Sequence, residues 1–463
     1  MSDVGNSPAS RDIAYVMHPY TNQEKHKEVG PLILEKGEGV WVTDDSGKRY
    51  IEGMAGLWCT SLGYGEQRLI DAAVKQFHDL PYSHLFAHKS THPAIDLAER
   101  LVKMAPGDMA QAFFNNSGSE ANDTVVKIVW YYNNALGRPN KKKIIARTKG
   151  YHGVTVAAAS MTGLPANHID FDLPIDGILH TDCPHYYRFG QKGESEEDFA
   201  TRMAESLEQM ILDEGPDTVA AFIAEPIMGA GGGIVPPKTY FEKVQAGLKK
   251  YDILMVADEV ICGFGRTGKM FGCEQFGIEP DIMSVAKALS SAYLPISATL
   301  VNSKVADVVT KNSGKIGTFG HGYTYSGHPV AAAVAVETLK IYEERDILSH
   351  VNAVAPHLQD GLRKLADHPL VGEVRGMGLI GAVELVANKD TCENFDPKLG
   401  VAAQLVARAQ EHGVILRAMM GDAIAFSPPL VITGEELDMV VDGFTKALEE
   451  TAKWLKTEGH WKG

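Results

Sequence analysis

Ile253-Leu254-Met255-Val256-Ala257-Asp258-Glu259 is an apolar run that ends in two carboxylates. A second run, Asp281-Ile282-Met283-Ser284-Val285-Ala286-Lys287, starts in acid, ends in an amine and is followed by small residues. Brief apolar stretches bounded by polar residues read as buried strands. The interval from Asp258 to Lys287 is long enough for a crossover between two of them, as parallel neighbours require. Ligands bind α/β sheets beyond the carboxyl ends of the strands, and Asp258 stands at such an end. An ammonium is strongly hydrated, so apolar surroundings push Lys287 toward its neutral, nucleophilic form.

The same pattern extends outward. Apolar runs at 112–114, 144–146, 155–159, 219–224 and 296–301 read as further strands, with helical periodicity at 119–135, 198–213 and 239–250. Such alternation predicts a mostly parallel seven-stranded sheet flanked by helices, an α/β architecture. Earlier, 37–51 reads as a hairpin turning at Asp44-Asp45-Ser46-Gly47, and 67–79 and 93–104 as helices. Residues 329–344 form a long predicted helix leaving the core. Beyond it, helices (351–366, 400–412, 434–455) mix with short strands (379–386, 414–417, 423–427), a smaller α+β domain on which the hairpin is expected to pack. The expected division is 1–60, an N-terminal segment; 61–328, the large domain; and 329–463, the small domain. Lys141-Lys142-Lys143 reads as a solvated loop.

A formal net charge of −15 argues against nucleic acid or an anionic membrane as partner. The five cysteines are scattered and contain no C-x-x-C pair, so neither a disulfide framework nor a metal site is expected. No signal-like segment opens the chain and no run nears the roughly 20 apolar residues of a membrane helix. These features lead to the expectation of a cytoplasmic protein.

Four places carry chemistry together. Asn116-Ser117-Gly118-Ser119-Glu120 follows a strand and opens a helix; alone it is as readily a capped turn as an anion site. Gly150-Tyr151-His152-Gly153 offers an aromatic face able to stack on a planar ring. Glu225 and Asp258 each end a predicted strand, where a carboxylate can pair with a ring nitrogen or cap the next element. Lys287 completes the set. Phosphate loop, stacking aromatic, acid and desolvated lysine are all explained by one bound cofactor, pyridoxal phosphate.

With these residues in view, the chain resembles the class III pyridoxal-phosphate aminotransferases of fold type I, and most of all the ω-amine:pyruvate transaminases. The likeness covers nearly the whole chain and is densest in Met54–Cys59, Asn116–Asn122, Tyr151–Gly153, Ala224–Pro226, Ala257–Gly268, Ala286–Lys287 and His321–Pro329. It implies that Lys287 makes the covalent link to the cofactor and shuttles the proton, and that Asp258 contacts the pyridine nitrogen. Val260 and Tyr151 would sandwich the ring, and Ser117, Gly118 and Ser119 would hold the phosphate. Glu225 and His152 would lie close to the cofactor. Thr324, beside Tyr323, would reach the phosphate of a neighbouring subunit, which implies a homodimer with shared sites, with a tetramer also open. Arg417 matches a mobile arginine that binds a keto-acid carboxylate, and Tyr20, Leu57, Trp58 and Phe86 would line an apolar donor pocket. Two departures bear on specificity: Ala230 stands where some α-ketoglutarate-using relatives carry glutamate, and Ile261 where glutamine is common.

The implied reaction moves the amino group of a primary amine to a keto acid, with pyruvate expected, and yields an aldehyde or ketone and alanine. An aminomutase, a decarboxylating enzyme and a non-catalytic binding protein on the same scaffold remain open at this point.

Overall fold

The computed structural model describes residues 5–461. Its central sheet has seven strands: β1 (Met109–Asn115), β2 (Lys143–Arg147), β3 (Ile178–Thr181), β4 (Val219–Ala224), β5 (Leu254–Asp258), β6 (Ile282–Val285) and β7 (Ser297–Asn302). Their spatial order is β1-β7-β6-β5-β4-β2-β3. Strands β2 to β6 are parallel, whereas β7 runs antiparallel to both β6 and β1. Every residue of β4, β5, β6 and β7 is buried, as expected of a sheet covered on both faces.

Side-chain alternation divides the core. Ile145, Phe222, Met255 and Met283 join the cluster holding Phe199, Tyr240 and Phe241, while Ile144, Ile223, Val256 and Ile282 join Val125, Val129 and Tyr132 on the opposite face. The helix Gly118–Ala135 belongs to the second face, and its N-terminus lies at the sheet end where Asp258 emerges.

Helix Pro329–Glu344 leads to a four-stranded antiparallel sheet of Val371–Met377, Ile380–Leu385, Arg417–Met419 and Ala423–Phe426. The N-terminal strands Leu34–Glu38, Trp41–Asp44 and Arg49–Glu52 form a meander, to which Val414–Ile415 adds in parallel beside Ile51 and Glu52. Asp44 Oδ1 organises the expected turn by accepting from the N–H groups of Ser46 and Lys48 at 3.0 and 2.9 Å.

Several expectations are corrected. The predicted strand 155–159 is part of the helix Val156–Met161: its alanines favour helix, and this outweighs the β-branched pair that opens the stretch. Strands Ile178–Thr181 and Val371–Met377 were not anticipated; the first is a short edge strand and the second is interrupted by glycines. Lys141 is not solvated. It is buried, and its amine donates to the carbonyls of Pro216 and Tyr251 at 3.2 and 3.0 Å. Among the described residues no helix is long and apolar enough to cross a membrane.

Candidate active site

Asp258 ends β5 with only 3% of its surface exposed. Its Oδ2 accepts from Asn122 Nδ2 and lies against His152 Nδ1, both at 2.8 Å, and its Oδ1 accepts from the Val260 N–H at 3.1 Å. His152 is itself fixed, its N–H donating to Thr162 Oγ1 at 2.8 Å and its carbonyl accepting from Asn122 at 2.7 Å. Glu225, just past β4, accepts from the N–H groups of Tyr151 and Gly229 at 3.0 and 2.9 Å, and burial raises its pKa.

Lys287 begins a short 3-10 turn directly after β6 and adopts the left-handed backbone region at φ 51°. Its side chain is partly open to a cavity of about 580 Å³, yet the dense surrounding protein desolvates the amine and lowers its pKa. The charges of Cys59, Asp258 and Glu225 oppose that shift. The amine makes no hydrogen bond or ion pair among the described residues and stands 5.4 Å from the Trp58 ring centroid. Trp58 and Tyr20, on the same cavity, also have positive φ, 59° and 49°. Such conformations cost about 1–3 kcal/mol each and gather at functional sites.

At the other end of the cavity lies the start of helix Gly118–Ala135. Gly118 and Ser119 line the cavity, and Ser117 caps the helix by accepting from the Glu120 N–H at 3.2 Å. Two glycines keep this approach narrow. A Cβ on Gly118 would lie 3.1 Å from Val260, and one on Gly153, at φ 130°, would lie 2.5 Å from Ser119 Oγ. An 18-residue helix directs its positive end here, which favours an anion.

The remaining wall comes from distant segments: Pro19 and Tyr20, Leu57 and Trp58, Leu164 to Asn167, and Arg417 to Met420, with Ala230 and Ile261 nearby. The Arg417 guanidinium stands 5.4 Å from the Trp58 ring centroid and has no hydrogen bond or ion pair among the described residues; burial lowers its pKa. Asn167 Nδ2 donates to the Tyr20 hydroxyl at 2.5 Å, and the Tyr20 ring stands edge-on to Tyr151.

The structure thus brings together Tyr20, Leu57, Trp58, Gly118, Ser119, Tyr151, His152, Glu225, Ala230, Asp258, Val260, Lys287 and Arg417. Four expected positions do not join the cavity within one chain. The Ser117 hydroxyl is used as a helix cap. Phe86, Tyr323 and Thr324 lie elsewhere. A Cβ on Gly322 would meet Phe86 at 2.9 Å, the Thr324 carbonyl accepts from the Tyr82 hydroxyl at 2.8 Å, and the Tyr323 hydroxyl donates to the Glu120 carbonyl at 3.2 Å. Asn122, within the segment Asn116–Asn122, and Pro19, 164–167 and Met419 join the cavity without a role expected from the sequence. No spacing rule ties those segments to the cavity.

These donors suit pyridoxal phosphate. An unpaired amine, a fixed carboxylate and a glycine-lined helix start surround one cavity, as a ring with an aldehyde, a basic nitrogen and a phosphate requires. A crevice of similar volume, about 570 Å³, is walled mainly by apolar groups such as Val102, Phe113, Val309 and Phe319 and gathers no such set.

Comparison with known proteins agrees. The family model for class-III aminotransferases matches residues 21–448. Gamma aminobutyrate transaminase 3, chloroplastic, of Solanum lycopersicum is 56% identical over 437 residues, covering 94% of this chain and 84% of that protein. The omega transaminase from Pseudomonas jessenii in complex with PMP superimposes with a TM-score of 0.96 at 57% identity, covering 97% of this chain and 99% of the other. A thermostable omega transaminase variant with W58M, F86L and R417L, engineered for asymmetric synthesis of enantiopure bulky amines, superimposes with a TM-score of 0.95 at 57% identity, covering 97% and 100%. This chain has Trp58, Phe86 and Arg417 at those numbers. The expectation of a cytoplasmic protein is overturned by the plant relatives, which are chloroplastic or mitochondrial.

Proposed function

The chain belongs to the class-III aminotransferases, fold type I enzymes that use pyridoxal phosphate, and on that premise we propose that it transfers the amino group of a primary ω-amine to pyruvate. The products are an aldehyde or ketone and alanine. One observation carries this reading: among the residues lining the cavity, Arg417 is the only guanidinium, and the other cation, Lys287, serves the chemistry. One guanidinium fork binds one carboxylate bidentately. A monocarboxylate such as pyruvate is matched, whereas a dicarboxylate would leave a second charge unpaired against Leu57, Trp58 and Met419. Ala230 adds no charge of its own. The names of the relatives, omega and gamma-aminobutyrate transaminases, support an amine remote from any carboxylate, and γ-aminobutyrate belongs on the donor panel.

Pyridoxal phosphate, when bound, supplies an electron sink for the bond electrons released at the amine carbon. Each residue then has a task. Lys287, whose desolvated amine faces the cavity, would be the residue that holds the cofactor's aldehyde carbon, and its neutral amine would carry the proton that leaves the donor carbon. Asp258, gripped by Asn122, His152 and the Val260 N–H, would hold the ring nitrogen. Gly118, Ser119 and the helix start would bind the phosphate, and Tyr151 and Val260 would enclose the ring. Arg417 takes the acceptor carboxylate and swings aside for a donor without one; Gly413 and Gly421, at φ 80° and 78°, flank it as pivots. Phe86, Tyr323 and Thr324 serve the site of a second subunit, so the enzyme works as a homodimer.

The test is a donor panel of putrescine, β-alanine, γ-aminobutyrate, taurine and 1-phenylethylamine, each with pyruvate or α-ketoglutarate, following alanine or glutamate. Alanine formation from several donors is expected. Turnover with α-ketoglutarate alone would sink the acceptor assignment, and turnover with no keto acid would point to an aminomutase.

A further inference from the structure

We propose that Asp12, His18 and His26 form a site for one divalent late-transition ion of the Zn²⁺ class, outside the catalytic cavity. Asp12 lies on the helix Pro8–Tyr15, His26 on the helix Gln23–Val29, and His18 on the turn between them. Both Nε2 atoms converge on one oxygen, Asp12 Oδ1, at 2.8 Å from His18 and 3.0 Å from His26. The rings lie 4.2 Å apart, and the three candidate ligand atoms all fall within 4.8 Å of one another. Two imidazoles and a carboxylate are the donor set of a three-ligand zinc site, with water as the fourth ligand.

The two Nε2–Oδ1 contacts need little adjustment. Zinc binds imidazole nitrogen and carboxylate oxygen at about 2.0–2.2 Å, so ligand atoms around one ion sit slightly farther apart than hydrogen-bonded ones. Opening the two Nε2–Oδ1 contacts by a few tenths of an ångström lets an ion replace the shared protons. The side chains are partly shielded, His26 at 10% exposure and Asp12 at 22%, and one face stays open for entry and for water. The cysteine pattern gave no hint of this site, because its ligands are spaced 6 and 8 residues apart around a turn.

The location links the site to the cavity. The turn closed by these three residues carries Pro19 and Tyr20, both of which line the catalytic cavity, with Tyr20 in the left-handed region. Gln23 Nε2 donates to the His18 and Thr21 carbonyls at 2.5 and 3.1 Å, so the turn is already folded around the ligands. An ion here clamps the turn that delivers Tyr20.

The experiment titrates CoCl₂ into the holoenzyme and follows the visible absorption of low-symmetry Co²⁺, then displaces it with ZnCl₂. The wild type is expected to bind one Co²⁺ per chain with a d–d spectrum that Zn²⁺ removes. His26→Gln and Asp12→Asn are expected to bind at least tenfold more weakly. Retention of cofactor absorbance in both variants reports that they remain folded. In parallel, hydrogen exchange over residues 8–29 slows on adding Zn²⁺ to the wild type and not to His26→Gln. A wild type that gains no cobalt spectrum overturns the proposal, as does a loss below tenfold in either variant or Zn²⁺-dependent protection that persists in His26→Gln.

Discussion

Asp258 and Arg417 face the same cavity and are held in opposite ways. Asp258 ends a fully buried strand and has three hydrogen-bonding neighbours on its carboxylate. Arg417 lies on a three-residue strand between two glycines, and its guanidinium faces the Trp58 ring with no hydrogen bond or ion pair among the described residues. The floor of the cavity is thus built for invariance and its wall for adjustment. On the proposed function, a carboxylate that holds one ring nitrogen gains from being fixed, and a guanidinium that meets a keto acid in one half-reaction and a bare amine in the other gains from having no partner to break.

Lys287→Ala is the severest challenge to the floor. Removal of the amine should lower turnover by more than about 10⁴-fold, the upper range of lost acid–base catalysis, while cofactor still binds at the glycine-lined helix start. Steady-state rates together with the absorbance of bound cofactor check both halves, and a variant with a hundredth of the wild-type rate would remove Lys287 from its role. Asp258→Asn should cost about 10²–10⁴-fold in both half-reactions alike, comparable with breaking a buried charge pair worth about 3–5 kcal/mol. A loss confined to one half-reaction would mean that Asp258 acts on substrate and not on the cofactor.

The wall makes a different prediction. Arg417→Leu should raise KM for pyruvate by about 10- to 150-fold, the worth of a charge-assisted hydrogen bond at about 1.5–3 kcal/mol. The half-reaction with a carboxylate-free amine should change by less than about fivefold, the worth of one cation–π contact. Separate single-turnover measurements of the two halves check this. Equal losses in both would place Arg417 in the fixed machinery and erase the contrast.

The same contrast explains what could be read in the sequence. Asp258 and Lys287 each end a continuous buried run, and Ser119 opens a helix after another, so strand pattern alone brings them to one edge of the sheet. Glu225 follows for the same reason. The wall obeys no such rule. Tyr20, Trp58, Asn167 and Met419 come from four separated segments, and two of them sit at left-handed turns whose residues are not glycine. Trp58 and Met419 meet through the parallel pairing of Val414–Ile415 with Ile51 and Glu52, a contact across more than 360 residues that periodicity does not encode, and Tyr20 meets Asn167 through a side-chain hydrogen bond. The helix at Val156–Met161 was misread because a β-branched pair at its start masked its alanines. Phe86 and Thr324 were tied to the cavity by likeness alone, and within one chain they lie off it.

Glu52 tests whether the wall carries a stability cost that the floor does not. It ends the strand beneath the Met54–Trp58 turn, accepts from the Met54 N–H at 3.1 Å and has its second carboxylate oxygen buried without a partner. Burial pushes its pKa up to about 7, only partly opposed by the Met54 N–H, by Tyr64 and by Arg266. Between an unfolded value of 4.5 and that folded value, the folded chain keeps a proton that the unfolded chain has released. The stabilisation from this group is therefore fully present below pH 4.5 and is lost as pH rises through about 7, an effect on the order of 3 kcal/mol at about 1.4 kcal/mol per pKa unit. Glu52→Gln cannot titrate and keeps an oxygen for the Met54 N–H. Thermal unfolding of the two holoenzymes should show the variant gaining on the wild type from pH 5 to pH 8. A variant Tm that keeps a constant offset from the wild type, or that falls behind it as pH rises, would show that Glu52 remains ionised beneath the turn and that Arg266 compensates it.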